Sequence, residues 1–101
     1  MARIIDKKLL RSYHDKKCLI CNTQAESHHI KSKGSGGHDL DDNLLPLCRV
    51  HHAQCHAIGL NRFAMKYIQI ADTLLAKGWQ FDDYNAKWIN YSLLGGESDR
   101  D

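Results

Sequence analysis

Five possible metal ligands crowd one short stretch of the chain: Cys48, His51, His52, Cys55 and His56. Two further pairs precede them, Cys18/Cys21 and His28/His29. Thiolate and imidazole are the donors that zinc and related divalent ions take. The Cys18-x-x-Cys21 step lets two thiolates point at one ion from a turn. The rival use of that step, a redox pair of thioredoxin type, needs a surrounding βαβ pattern that this chain lacks. The histidines are more than one structural zinc requires. Their number implies two metal sites, one holding the fold and one free for chemistry.

The elements that must position these residues are short. Ser27–Lys31 reads as an extended segment, in which the neighbours His28 and His29 point to opposite faces and so take different roles. Leu44–Leu47 reads as a strand, with Pro46 where no ladder donor is needed. Asn43, just before it, can hydrogen-bond backbone groups of a neighbouring loop. Arg49–Ile58 reads as a helix that ends at Gly59. On it His52 and His56 are four residues apart, share one face and can grip one ion. Cys48 and His51 sit at its first turn and can face back toward Cys18 and Cys21.

Between the two strands, residues 33–38 read as a flexible loop. Gly34, Gly36 and Gly37 there allow close backbone approach, in a plain connection or a substrate-contacting loop. His38 reads as a surface residue and residues 39–42 as a solvated turn. Upstream, Asp6–His14 reads as a short helix with Ile5, Leu9, Leu10 and Tyr13 on one side. Downstream, Asn61 is expected to cap a helix through Lys77, closed by Gly78, with Phe63, Tyr67, Ile70, Leu74 and Leu75 as its buried stripe. Trp79–Tyr84 reads as a turn or short strand. Asn85–Leu94 reads as a last helix packing Trp88 and Tyr91, and Gly95–Asp101 as a polar, flexible tail.

The bulk numbers fit one small domain of 101 residues. Apolar content is 43%, charged content 26% and net charge +2, too weakly basic to indicate nucleic-acid binding alone. No run of eighteen apolar residues exists, so no membrane span is expected. The charged N-terminal stretch lacks an apolar signal core. An intracellular, cytoplasmic setting is expected, where four cysteines serve better as metal ligands than as disulfides.

Taken together, Cys-x-x-Cys, His-His-Ile and Asn-Leu-x-Pro-Leu-Cys-x-x-His-His-x-x-x-His resemble the HNH endonuclease motif, also called the ββα-metal or His-Me finger. The likeness spans about residues 18–59 and is closest to small zinc-containing phage or bacterial members. It implies a small α+β fold: a ββα-metal core with a structural zinc, flanked by an N-terminal helix and C-terminal helices. Residues 1–101 would form a single domain, with 61–94 as a helical extension and 95–101 as tail. His29 corresponds to the general base. His28 stands where the family has a metal-binding Asp or His. Asn43 corresponds to the residue that steadies the loop and the base. His52 corresponds to a metal ligand and His56 to the further histidine of colicin-type members. Cys18, Cys21 and Cys48 match zinc-binding cysteines. Where many members carry a second Cys-x-x-Cys, this chain has Cys48-Arg-Val-His51. His51 is the preferred fourth zinc ligand, and Cys55, one helical turn on, competes with it.

The chemistry suits these roles. Phosphodiester hydrolysis needs a base to deprotonate water and a cation to stabilise the charge that develops. A free imidazole titrates near 6.5, close to working pH. A divalent ion on His28, His52 and His56 would supply the cation. All-imidazole ligation favours Zn²⁺, Ni²⁺, Co²⁺ or Mn²⁺ over Mg²⁺, yet Mg²⁺ also serves within the family. The expected partner is DNA, double-stranded, held through phosphates by Lys31, Lys33, Arg49 and Arg62. The competing function is a zinc-stabilised nucleic-acid or protein binding module that does not cleave. Resemblance places the chain in the cytoplasm of a bacterium or phage-infected host.

Overall fold

Strand β1 (Glu26–His29) and strand β2 (Leu44–Leu47) form an antiparallel pair, with Glu26 opposite Leu47, Ser27 opposite Pro46, His28 opposite Leu45 and His29 opposite Leu44. The computed structural model describes residues 3–93. Leu94 and the expected tail Gly95–Asp101 lie outside the described residues. Ahead of β1 stands helix α1 (Lys7–Ser12), capped by the Asp6 carboxylate, which accepts from the Leu9 amide at 2.9 Å. After β2 come α2 (Arg49–Ile58), α3 (Leu60–Lys66), α4 (Ile68–Ala76) and a hairpin of β3 (Gln80–Asp82) with β4 (Lys87–Ile89). The architecture is α+β, with four α-helices and two two-stranded antiparallel sheets among the described residues. None of these helices is long and apolar enough to cross a membrane.

The core gathers Leu45 and Leu47 of β2, Cys55 of α2, Leu60 and Phe63 of α3, Ile70 and Leu74 of α4, and both tryptophans. Helix α2 has the bounds its sequence suggests. Cys48 is its N-cap, and Gly59 at φ +86 closes it, the Gly59 amide donating to the Cys55 carbonyl at 2.8 Å. Gly59 also opens α3, a place expected for Asn61, which lies inside that helix instead.

The long helix expected from Asn61 to Lys77 is two helices, broken at Tyr67 in extended conformation. No Gly or Pro marks the break. Tyr67 donates its hydroxyl to Gln54 at 2.8 Å and sets its ring edge-on to Phe63 and His51. Tyr67 and the β-branched Ile68 that follows it have only middling helix propensity, so such contacts can outweigh continuity there. Ile70 and Leu74 then reach the core, but Leu75 is exposed.

The last helix expected over Asn85–Leu94 is absent as far as residue 93. Lys87–Ile89 form a strand, Trp88 packs against Phe81, and Tyr91 is exposed. The Asp82 carboxylate turns the hairpin by accepting from the Tyr84 and Asn85 amides. Ile5 is likewise exposed rather than packed, and of the N-terminal apolar group only Tyr13 is fully buried.

Candidate metal centres

The first ligand set is assembled by two turns. Residues 18–21 form a knuckle closed by the Cys18 amide donating to Thr23 O at 2.7 Å and the Asn22 amide donating to Cys18 O at 3.0 Å. The Leu19 amide donates to Pro46 O at 3.1 Å, which ties the knuckle to β2. Pro46, without an amide of its own, still offers that carbonyl. The start of α2 supplies the other two ligands, Cys48 and His51. Cys48 Sγ lies 3.2 Å from His51 Nδ1 and 3.6 Å from Cys21 Sγ, and Cys18 Sγ lies 3.7 Å from His51 Nδ1. The ligand atoms of all four residues fall within 4.8 Å of one another. Tetrahedral zinc with Zn–S near 2.3 Å places its ligand atoms about 3.5–3.8 Å apart, so the set fits a structural zinc. The Thr23 hydroxyl and amide, with the Cys48 and Cys18 thiols, lower the Cys21 pKa to about 6, while burial pushes the Cys18 thiol up. Cys55 is not in this group. It is buried beside His28, its Sγ 3.6 Å from His28 Nε2.

The second set spans β1 and α2. His28, His52 and His56 bring one ring nitrogen each within 4.8 Å of one another. Nε2 of His52 and Nε2 of His56 are 3.0 Å apart, close to the roughly 3 Å between neighbouring imidazole ligands of one ion. His28 is buried, and its Nδ1 has no hydrogen-bond partner, the condition a bound ion would relieve. Burial first, then repulsion from His52, His56 and His29, lowers the His28 pKa to about 3. Burial and His56 lower His52 as well, against the opposing pull of Glu26. Both shifts favour the neutral ring at His28 and His52, the state in which imidazole binds metal. Glu26 Oε1 lies 2.9 Å from His52 Nδ1, a carboxylate placed to orient a ligating ring. Its signal in the sequence is simple alternation, since Glu26 and His28 share a strand face.

His29 faces elsewhere, as alternation requires. Its Nε2 lies 2.8 Å from Asp39 Oδ1. Asp39 and His38 correct the expectation of a solvated turn and a surface histidine, for both are buried. His38 Nδ1 accepts from the Ile4 amide at 2.8 Å, and Asp39 also holds Arg3. Asn43 acts on the loop as expected. Its Oδ1 accepts from the Lys31 amide, and its Nδ2 donates to Lys31 O and His38 O at 3.1 and 2.9 Å. The close approach that Gly37 permits is internal: a Cβ there would sit 1.8 Å from Lys31 O.

His28, His29, Ser32, His56 and Arg62 line one cleft of about 440 Å³. Of the other basic residues singled out, Lys31 is half-buried and Lys33 is exposed on the Lys33–Ser35 turn. Arg49 is exposed, 4.0 Å from Glu26. These three do not line the cleft. Comparison with protein-family models, curated proteins and solved structures returns no match for this chain.

Proposed function

We propose that the chain is a metal-dependent endonuclease of HNH type that hydrolyses phosphodiester bonds of DNA. The observation that carries this reading is the cleft whose lining includes His28, His29, His56 and Arg62. The β1–β2–α2 order supports it, with the proposed base on β1, the steadying Asn43 before β2 and the ligand pair on α2. That is the arrangement a ββα-metal core requires.

In the proposed reaction His29 takes a proton from a water whose oxygen forms the new bond to phosphorus. The bond to the leaving sugar oxygen breaks with its electron pair on that oxygen, which solvent protonates. Arg62 contributes positive charge on the cleft wall, and Ser32 a hydroxyl for the phosphate oxygens. When bound at His28, His52 and His56, a divalent ion supplies Lewis-acid stabilisation of the charge on the phosphate. A zinc ion at Cys18, Cys21, Cys48 and His51 would tie the knuckle to α2 and take no part in the reaction.

Incubating supercoiled plasmid with the chain across a series of divalent ions tests the proposal. Nicking by the parent and its loss in folded His29→Ala, by about 10²-fold or more, is expected. An equal rate in the variant removes His29 as base. Plasmid bound but left intact with every ion makes the chain a zinc-stabilised binding module instead.

A further inference from the structure

The hydrolytic reading leaves unused a buried carboxylate directly behind the proposed base. Asp39 is 1% exposed. Its Oδ1 receives Arg3 Nη1 at 2.7 Å and lies 2.8 Å from His29 Nε2, and its Oδ2 accepts from the Asp6 amide at 2.9 Å. We propose that Asp39 is a positioning residue for His29, holding its ring in the Nε2–H tautomer so that Nδ1 is the nitrogen that accepts the proton from water. The inference rests on His29 being the base, and deepens that reading by naming the reacting atom.

An ionised carboxylate accepts and cannot donate. Asp39 is ionised: its Oδ1 is paired with the Arg3 guanidinium at 2.7 Å and its Oδ2 accepts from the Asp6 amide at 2.9 Å, and such bonds hold the carboxyl well below its usual range against the rise that burial alone would bring. The ring nitrogen facing Oδ1 must then carry hydrogen. A neutral imidazole has one N–H, so Nδ1 is left with a bare lone pair. Without this contact the ring could adopt either tautomer, and the one with hydrogen on Nδ1 could not take a proton there.

The carboxylate is itself held from the N-terminal side. The Asp39 amide donates to Ile4 O at 2.9 Å, the Ile4 amide to His38 Nδ1, and Arg3 to Gly37 O at 3.1 Å. Residues 3–6 thus clasp residues 37–39. Arg3 shares Oδ1 with His29 and offsets the negative charge behind the ring, so Asp39 orients the base without an unbalanced buried charge. Asparagine at position 39 has the right shape and the wrong chemistry. If its oxygen accepts from the Asp6 amide, its NH₂ faces His29 and Arg3, and His29 must turn acceptor at Nε2.

Nitrogen NMR of the labelled, zinc-loaded full chain reads the tautomer directly, with His29 assigned by loss of its signals in His29→Gln. In the parent, Nε2 should resonate as a protonated nitrogen and Nδ1 as a pyridine-type one. Arg3→Gln, which leaves the carboxylate on the ring, should keep that pattern. Asp39→Asn should mix or reverse it and lower plasmid-nicking kcat by about 10²–10⁴-fold with KM unchanged. Hydrogen on Nδ1 in the parent, or parental tautomer and kcat in Asp39→Asn, would overturn the proposal. If Asp39→Asn does not fold, the parent and Arg3→Gln spectra decide it. A parent that never nicks DNA removes the nuclease reading, while the spectra still settle what Asp39 does to His29.

Discussion

His51 and His52 are bonded neighbours that serve different sets. Each step along an α-helix turns the side chain by about 100°, so consecutive residues cannot share a face. His51 meets Cys48 and Cys18, and His52 meets His56 and His28. Ligand spacing alone left Cys55 in contention with His51. Cys55 lies outside the Cys18/Cys21/Cys48/His51 group and is buried beside His28. Cys55→Ser should therefore retain the tightly held zinc of the parent. Cys18→Ser should lose it and melt well below the parent, because zinc binding and folding are coupled. Elemental analysis and thermal melting check both; zinc lost from Cys55→Ser would return that residue to the ligand set. The pairs Cys18/Cys21, Cys48/His51 and His52/His56 were legible because the spacing within each pair is local. Asp39 was not, because the groups that bury it, Arg3 and Asp6, stand 36 and 33 residues away in sequence.

Strand β1, the loop after it and strand β2 act as one unit because Asn43 stitches them. Its three bonds to Lys31 and His38 are worth about 1 kcal/mol each, so Asn43→Ala should cost about 3 kcal/mol in denaturant unfolding. A loss under about 1 kcal/mol would show that the loop is held by something else. Gly37→Ala should also destabilise, since its Cβ would collide with the Lys31 backbone and force residues 37–39 to move. Element boundaries were readable where local chemistry marks them, as at Gly59. They were not readable at Tyr67, where a side chain packed between helices breaks the chain with no helix-breaking residue. The β3–β4 hairpin was missed for a related reason. Its strands are three residues each, too short for a period to emerge, and Trp88 is drawn inward by Phe81 and the core.

Three distant parts of the chain meet at Asp41. The Tyr13 hydroxyl donates to its carboxylate, Lys77 Nζ donates to its carbonyl at 2.9 Å, and Trp79 donates to the adjacent Asp42 carbonyl. Burial, then the bond to Asp41 and the charges of Asp41 and Asp42, raises the Tyr13 pKa above its usual value. A raised folded-state pKa gives stability that is full below the unfolded value near 10 and is lost as pH climbs above it. Tyr13→Phe should cost about 2 kcal/mol at neutral pH. That gap from the parent should narrow above about pH 10 in melts run across the alkaline range. A gap that stays constant there would contradict the Tyr13–Asp41 link. The molecule is held at such crossings, and the Cys18/Cys21/Cys48/His51 group, close enough to hold a metal ion, brings the knuckle to the start of α2. The most direct test of the account is therefore tightly held zinc in two variants of adjacent residues. After mild chelator treatment, His52→Ala should keep about one zinc per chain and melt like the parent, while His51→Ala should lose that zinc and its stability. Zinc lost from both variants, or kept by both, would contradict the division of His51 and His52 between two centres.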